Sequence, residues 1–449
     1  MVFHTQSQDI RIASMTSRHV MVILAGILIC LGPCALVYNT WSIFVVPVTA
    51  SLDASSSQFT FYITLVYLIS ALASPVMGNL MERFDLRMVL SLSVVLVALG
   101  IVLCSFWDAI WQFYISGALI GFGIVSLMFL AVPTLINRWF KKRTGFFIGL
   151  CFSMSGIGGA LWSMVGGAIF TITNWRVAYL IFAGIVLVTG LIATIALIRS
   201  YPSEIGLLPY GESLANQGST NPVENVAIDY RENNIANQKP KEWGVSASVM
   251  FRSPVFYSLM VTMGIFNSLT VVGNLFATYI YHLSDLGVSS ITSENAVMLA
   301  SGVAACIMAL SAAGKVILGA VSDKSLCIAL CIPCICGATS IVCMWLGVPI
   351  SSVFIYAGGL LCGVLYAAVD ALGASFTRQI VGPRDYTLIY SRVAIVVNVA
   401  GAISATLFAA VAEVSWEAEW IMALSLILIA FVLGLITIQK GKTLNQTYE

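Results

Sequence analysis

The chain has 449 residues, of which 59% are hydrophobic and 9% charged, with a formal net charge of +1. An ordinary soluble domain is about a quarter charged, so this composition excludes a water-soluble globule. The near-neutral balance also excludes a nucleic-acid binder, which needs a basic face to release counterions from phosphate, and leaves the lipid bilayer as the expected partner.

Residues 1–19 form a polar N-terminal segment with Asp9, Arg11, Arg18 and His19, and the apolar run after it is too long for a signal-peptide core. At about 20 apolar residues per crossing, the stretches Val20 to Ile198 and Pro254 to Ile438 hold about six helices each. The first six are expected at 20–48, 59–80, 88–106, 110–136, 145–171 and 176–198. A polar linker follows over 199–253. Within it Gly211 to Gln238, poor in apolar residues and rich in Asn, Glu and Gln, reads as a flexible connection. The second six are expected at 254–281, 296–320, 326–346, 350–376, 386–411 and 417–437, before a short tail at 439–449. The fold class is an all-α membrane protein of twelve transmembrane helices in two six-helix halves, 20–198 and 254–438. With both termini cytoplasmic, Arg83, Arg87, Arg138, Lys141, Lys142, Arg143, Lys324, Arg378 and Arg384 fall on the inside and Arg176 is left outside, as the positive-inside rule requires. A cell inner (plasma) membrane and a monomer are the expected setting.

Of the 11 cysteines, Cys30, Cys34, Cys104, Cys151, Cys306, Cys343 and Cys362 fall in apolar spans, where cysteine packs as a small hydrophobe. Cys327, Cys331, Cys334 and Cys336 form one apolar cluster without the separated, polar-flanked pairs of a zinc site, and packing is the stronger reading. Three histidines, His4, His19 and His282, come with no nucleophile–base motif or metal-ligand spacing, so neither an enzyme nor a cofactor is expected.

The loop after the second helix runs Gly78-Asn79-Leu80-Met81-Glu82-Arg83, and the loop after the eighth runs Gly319-Ala320-Val321-Ser322-Asp323-Lys324. Glycine, three residues, acid and base recur at equivalent places in the two halves, the pattern of paired repeats with a substrate near the midplane between them. An ordinary polar turn is the plainer alternative; helix-end glycines also suit close helix packing.

Gly78 through Arg87 resembles the cytoplasmic signature of the major facilitator superfamily, with Glu82 where that family usually has Asp. Asn39-Thr40-Trp41-Ser42-Ile43-Phe44-Val45-Val46-Pro47 is similar to helix one of the oxalate/formate antiporter group and the related monocarboxylate transporters. So are Arg138-Trp139-Phe140 with Lys142-Arg143, Asn174-Trp175-Arg176, and Pro202 to Leu207. The resemblance covers nearly the whole chain. It implies alternating access, with Gly78, Glu82, Arg83, Arg87, Gly319, Asp323 and Lys324 as the cytoplasmic gate.

Three ionisable residues fall inside predicted helices of the second half: Lys315, Asp370 and Arg392. A cation at a helix centre costs about 2.5–3.5 kcal/mol on insertion scales, so each is a candidate to line a water-filled cavity. In the antiporter group, cations in helices eight and eleven hold the anion. Gly314-Lys315 and Tyr390-Ser391-Arg392 match those positions, with Lys and Arg exchanged relative to the better-known members. Snorkelling to the cytoplasmic surface is the alternative for Lys315. Asp370 reads three ways, as counter-ion to Lys315 or Arg392, as a proton carrier if desolvated, or as a solvated vestibule acid. Monocarboxylate transporters typically place an acid one turn before the helix-eight cation, where this chain has Ser311, and their helix-one lysine has no counterpart here. Tyr38 and Trp41 on adjacent turns, with Tyr366 one turn before Asp370, are candidates to pack a carboxylate's carbon skeleton, or else interfacial or packing aromatics.

The expected function is secondary transport of a small mono- or dicarboxylate, with Lys315 and Arg392 binding the anion and exchange ahead of proton-coupled monocarboxylate symport. A membrane anion sensor is the reading from a different class.

Overall fold

The computed structural model describes residues 13–212, 244–287, 291, 293–348 and 350–448; most of the linker expectation, over 213–238, lies outside them. Twelve of its helices are long and apolar enough to cross a membrane. In chain order they are α1 Ser17–Leu52, α2 Ser57–Arg83, α3 Leu86–Cys104, α4 Ile110–Trp139, α5 Thr144–Phe170, α6 Trp175–Leu197, α7 Pro254–Asp285, α8 Met298–Ser322, α9 Leu326–Gly347, α10 Val353–Val381, α11 Tyr386–Val414 and α12 Trp416–Leu444. Buried apolar side chains run through both sets of six, and large apolar residues such as Leu72, Met88, Val188 and Leu428 stay exposed, as lipid-facing surfaces require.

Helix one, expected at 20–48, is one span with two interruptions. Pro33 lacks a backbone N–H and its ring crowds the preceding turn, so Cys30–Cys34 widens into a π-helical segment. The Leu31 carbonyl here accepts a 2.6 Å bond from the Trp162 indole of α5. A second break falls at Asn39–Thr40, before a 3-10 turn over Trp41–Phe44. The Asn39 amide donates to the Ser155 carbonyl at 2.7 Å, so the break is pinned to α5.

Two seams join the halves, α2 to α11 and α5 to α8, and the repeated glycines sit on them. A side chain at Gly78 would meet Ser391 of α11, and one at Gly319 would collide with the Gly145 carbonyl. Both α5 and α11 begin from a residue forced into the left-handed region, Arg143 at φ 58° and Asp385 at φ 52°. The same device at equivalent positions is what a structural repeat produces.

Candidate functional site

The Lys315 ammonium lies 2.7 Å from an Asp370 carboxylate oxygen, with side-chain exposures of 6% and 13%. It also donates to Ser155 Oγ at 3.0 Å and to the Phe152 carbonyl at 3.4 Å. The ammonium thus bridges the halves: Lys315 and Asp370 belong to α8 and α10, Ser155 to α5, and Ser155 carries Asn39 of α1 on its carbonyl. Snorkelling is excluded in this conformation, since all these partners are internal. Breaking a buried pair by removing one partner costs about 3–5 kcal/mol, because the remaining charge is stranded in low dielectric.

Tyrosines surround the pair. Asp370 interacts electrostatically with Tyr67, Tyr366 and Tyr390, and Cys34 of the π segment feels both members of the pair. Tyr38 packs on Tyr67 with ring centroids 5.1 Å apart and its hydroxyl is 3.5 Å from Ser70 Oγ. At about 1.5 Å rise per residue, Tyr67 and Tyr366 lie farther from the basic end than Asp370, and Tyr390 lies nearer to it. The pair therefore has phenols above and below. Of the aromatic candidates, Tyr38 and Tyr366 are at this site. Trp41 is not: the break at Asn39–Thr40 interrupts the helical register, and Trp41 lines a small cavity inside the first half with Leu36, Phe44, Tyr62 and Tyr179. Tyr67, Tyr390 and Ser155 were missed in sequence. Tyr67 sits in an apolar run without a charge nearby, and Ser155 in a run of small residues that reads as packing.

Arg392 is the main correction. Its guanidinium donates to the Leu388 carbonyl at 2.8 Å and stacks on the Phe251 ring at 4.5 Å. Tyr390 and Arg392 are two residues apart, about 200° around the helix, so when Tyr390 faces Asp370 its neighbour must face away. The expected net-positive site becomes a neutral pair.

At the basic end, Asp323 accepts from the Gly145 and Phe146 N–H groups at 2.8 and 2.9 Å, closing the first turn of α5 from the other half. Burial pushes the Asp323 carboxyl above its usual value, against the pull of those N–H groups and of Arg378. Ser74 donates to the Ser391 carbonyl at 2.5 Å, the Thr134 and Thr387 hydroxyls are 3.2 Å apart, and buried Arg378, read in sequence only as a loop cation, donates to the Asn137 carbonyl at 3.4 Å. The conformation is closed at this end. The two motif acids are not equivalent, because Glu82 pairs at 3.6 Å with Arg138 of its own half. Arg87 likewise donates to the Ile195 carbonyl within that half, and Arg83 and Lys324 are exposed. Of the expected gate residues, Gly78, Gly319 and Asp323 lie on the seams.

The Major Facilitator Superfamily model matches residues 27–349. The chain belongs to this superfamily. The fucose:proton symporter FucP of E. coli has the same fold, with a TM-score of 0.63 at 14% identity over 94% of this chain and 99% of that one. Curated relatives match over shorter stretches. An uncharacterised MFS-type transporter of Escherichia coli (strain K12), YhjX, is 32% identical over 120 residues, 26% of this chain and 30% of its own length. Monocarboxylate transporter 6 of Homo sapiens is 27% identical over 136 residues, 30% of this chain and 27% of its own length. The chain thus matches less than a third of the length of either relative. Superfamily membership makes this a multi-pass membrane transporter and not an enzyme.

Proposed function

We propose that the protein carries a small monocarboxylate together with a proton by alternating access. The observation that carries this reading is the neutral Lys315–Asp370 pair. With Arg392 turned away, an anion binding Lys315 leaves Asp370 as an unpaired buried carboxylate, and protonating Asp370 restores neutrality at the least cost. A dianion would leave a further charge uncompensated. The resemblance to monocarboxylate transporters, one of which is among the matched relatives, supports the same substrate class. Anion exchange, the expectation from a net-positive site, loses its main support when Arg392 leaves the site. Asp323, Gly78 and Gly319 then form the closure on the basic side, which the positive-inside rule assigns to the cytoplasm.

The test uses proteoliposomes holding a trapped pH dye and a screen of lactate, pyruvate, acetate and oxalate. An acid exterior should drive accumulation of labelled monocarboxylate, the lumen should acidify on substrate addition, and a clamped membrane potential should leave the rate unchanged. Uptake that needs an internal counter-anion and moves no protons would establish exchange in its place. Binding without accumulation would make the protein a sensor.

Tyr67 gives a smaller prediction. If its hydroxyl serves the substrate, Tyr67→Phe removes one neutral hydrogen bond of about 0.5–1.5 kcal/mol and raises KM roughly two- to tenfold with turnover nearly kept. An unchanged concentration dependence of uptake would reduce Tyr67 to a packing partner of Tyr38.

A further inference from the structure

Arg392 leaves the transport site for a place with its own chemistry. On α11 it shares a face with Ile403 and Leu407, which are 59% and 50% exposed. Ile403 is eleven residues on, about 20° from Arg392 around the helix. Ser391 and Thr387, about 100° and 140° away around the helix, are buried against α2. Arg392 thus stands on the lipid-facing stripe, six residues or about 9 Å from the start of α11 at the basic end. Its bond to the Leu388 carbonyl, one turn back, draws the guanidinium toward that end, to the depth of lipid headgroups.

A guanidinium at this depth needs an anion. Among the described residues no carboxylate lies within ion-pair distance of it; its contacts are the Leu388 carbonyl and the Phe251 ring. The carbonyl uses one of five N–H donors, and the ring covers a face of the plane, so donors along the edge stay open for a bidentate acceptor. Phe251 is held in turn: the Tyr257 hydroxyl donates to its carbonyl at 3.2 Å, and its ring packs against Phe256 at 5.2 Å. Tyr257 is 58% exposed, as an interfacial anchor would be. Arg252, next in the chain, is exposed and adds a second positive charge.

We propose that Arg392, stacked on Phe251 and flanked by Arg252, binds the phosphate of an anionic phospholipid in the leaflet at the basic end. The lipid clamps α11 to the entry of α7, independently of which substrate the central site takes.

The purified full-length protein in neutral detergent is titrated with phosphatidylglycerol, phosphatidylcholine or glycerol 1-phosphate while its Tm is followed. Retained lipids are counted by native mass spectrometry. Phosphatidylglycerol should raise the Tm of the parent by several degrees. Arg392→Gln should need about tenfold more of it for the same shift, as expected for losing a charge-assisted bond, and should retain fewer molecules. Arg392→Lys should fall between, keeping charge without the bidentate edge. Substrate KM in mixed-lipid proteoliposomes should stay at the parent's value in Arg392→Gln. If that variant folds poorly, Phe251→Leu keeps the charge and removes the stacking, and should weaken the lipid effect several-fold. An unaltered phosphatidylglycerol response in Arg392→Gln and Phe251→Leu overturns the proposal. So does an equal response to phosphatidylcholine, which would mean general solvation, or to glycerol 1-phosphate, which would mean a soluble anion.

Discussion

Lys315→Gln is expected to lower substrate uptake at least about 100-fold, while Asp370→Asn should lose the proton dependence and keep exchange of labelled for unlabelled substrate. A charge-assisted bond is worth about 1.5–3 kcal/mol, or ten- to 150-fold, and Lys315 is the cation that this site presents. Its loss also strands Asp370, which sits 2.7 Å away at 13% exposure, as a buried carboxylate without its partner. The Gln variant therefore has no anion anchor and an uncompensated acid. In Asp370→Asn the anchor survives, but the anion is no longer tied to a proton. The double variant Lys315→Gln/Asp370→Asn separates folding from function, because removing both charges avoids the unpaired one; its yield should recover and its uptake should not. The measurement is initial uptake, with and without an imposed pH gradient, normalised to protein in the bilayer. Uptake by Lys315→Gln above a tenth of the parent's would remove Lys315 from the anion site. Undiminished proton drive in Asp370→Asn would move the proton elsewhere.

The helices were legible in sequence because apolar runs broken by charged turns leave the backbone no other way to satisfy its polar groups in lipid. Their interruptions were less so: Pro33 marks the π segment of α1, but the break at Asn39–Thr40 depends on Ser155, 116 residues away. At the site, Lys315 and Asp370 were legible as charges that lipid would not tolerate. Their pairing with each other and with Ser155 is tertiary, and no spacing encodes it. Arg392 misled because a charge inside a span has two resolutions, a partner in the cavity or a reach to the interface. The choice rests on the angle around α11. Tyr390, two residues earlier, carried the counter-signal, since two residues 200° apart cannot both line one cavity. The repeated loops had a similar limit. Their glycines marked both seams, yet the paired acids diverged because Arg138 lies within reach of Glu82 in its own half.

The seams give the other large effect: Gly149→Ala and Gly319→Ala should each shift the basic end toward open and slow net transport. A methyl at Gly149 would collide with the Lys315 carbonyl, and one at Gly319 with the Gly145 carbonyl. Both obstacles are backbone, so no rotamer relieves them and α5 and α8 must separate. Overpacking of this kind costs about 1–3 kcal/mol, and it falls on the closed state if the helices part there during transport. That is roughly a five- to 150-fold change in the ratio of states, short of the 10⁴-fold that fully inverts a 99:1 equilibrium. Adding Asp323→Ala removes two further bonds across the same seam, those to Gly145 and Phe146, and should extend the shift. Thr387, 2% exposed and opposite Thr134, reports on the parallel seam. As a lone cysteine in a chain cleared of its 11 natural ones, it should react with an impermeant maleimide about tenfold faster or more from the basic side in each glycine variant. Gly319→Ala should still bind carboxylate, since Lys315 lies about one turn away along α8 and Asp370 belongs to α10. Gly167→Ala is the control, because a methyl there meets no atom within 4 Å, and its labelling should match the parent's. If Gly149→Ala and Gly319→Ala label no faster than Gly167→Ala, the α5–α8 contact is fixed packing that does not part during transport, and the closure must lie elsewhere on the interface between the halves.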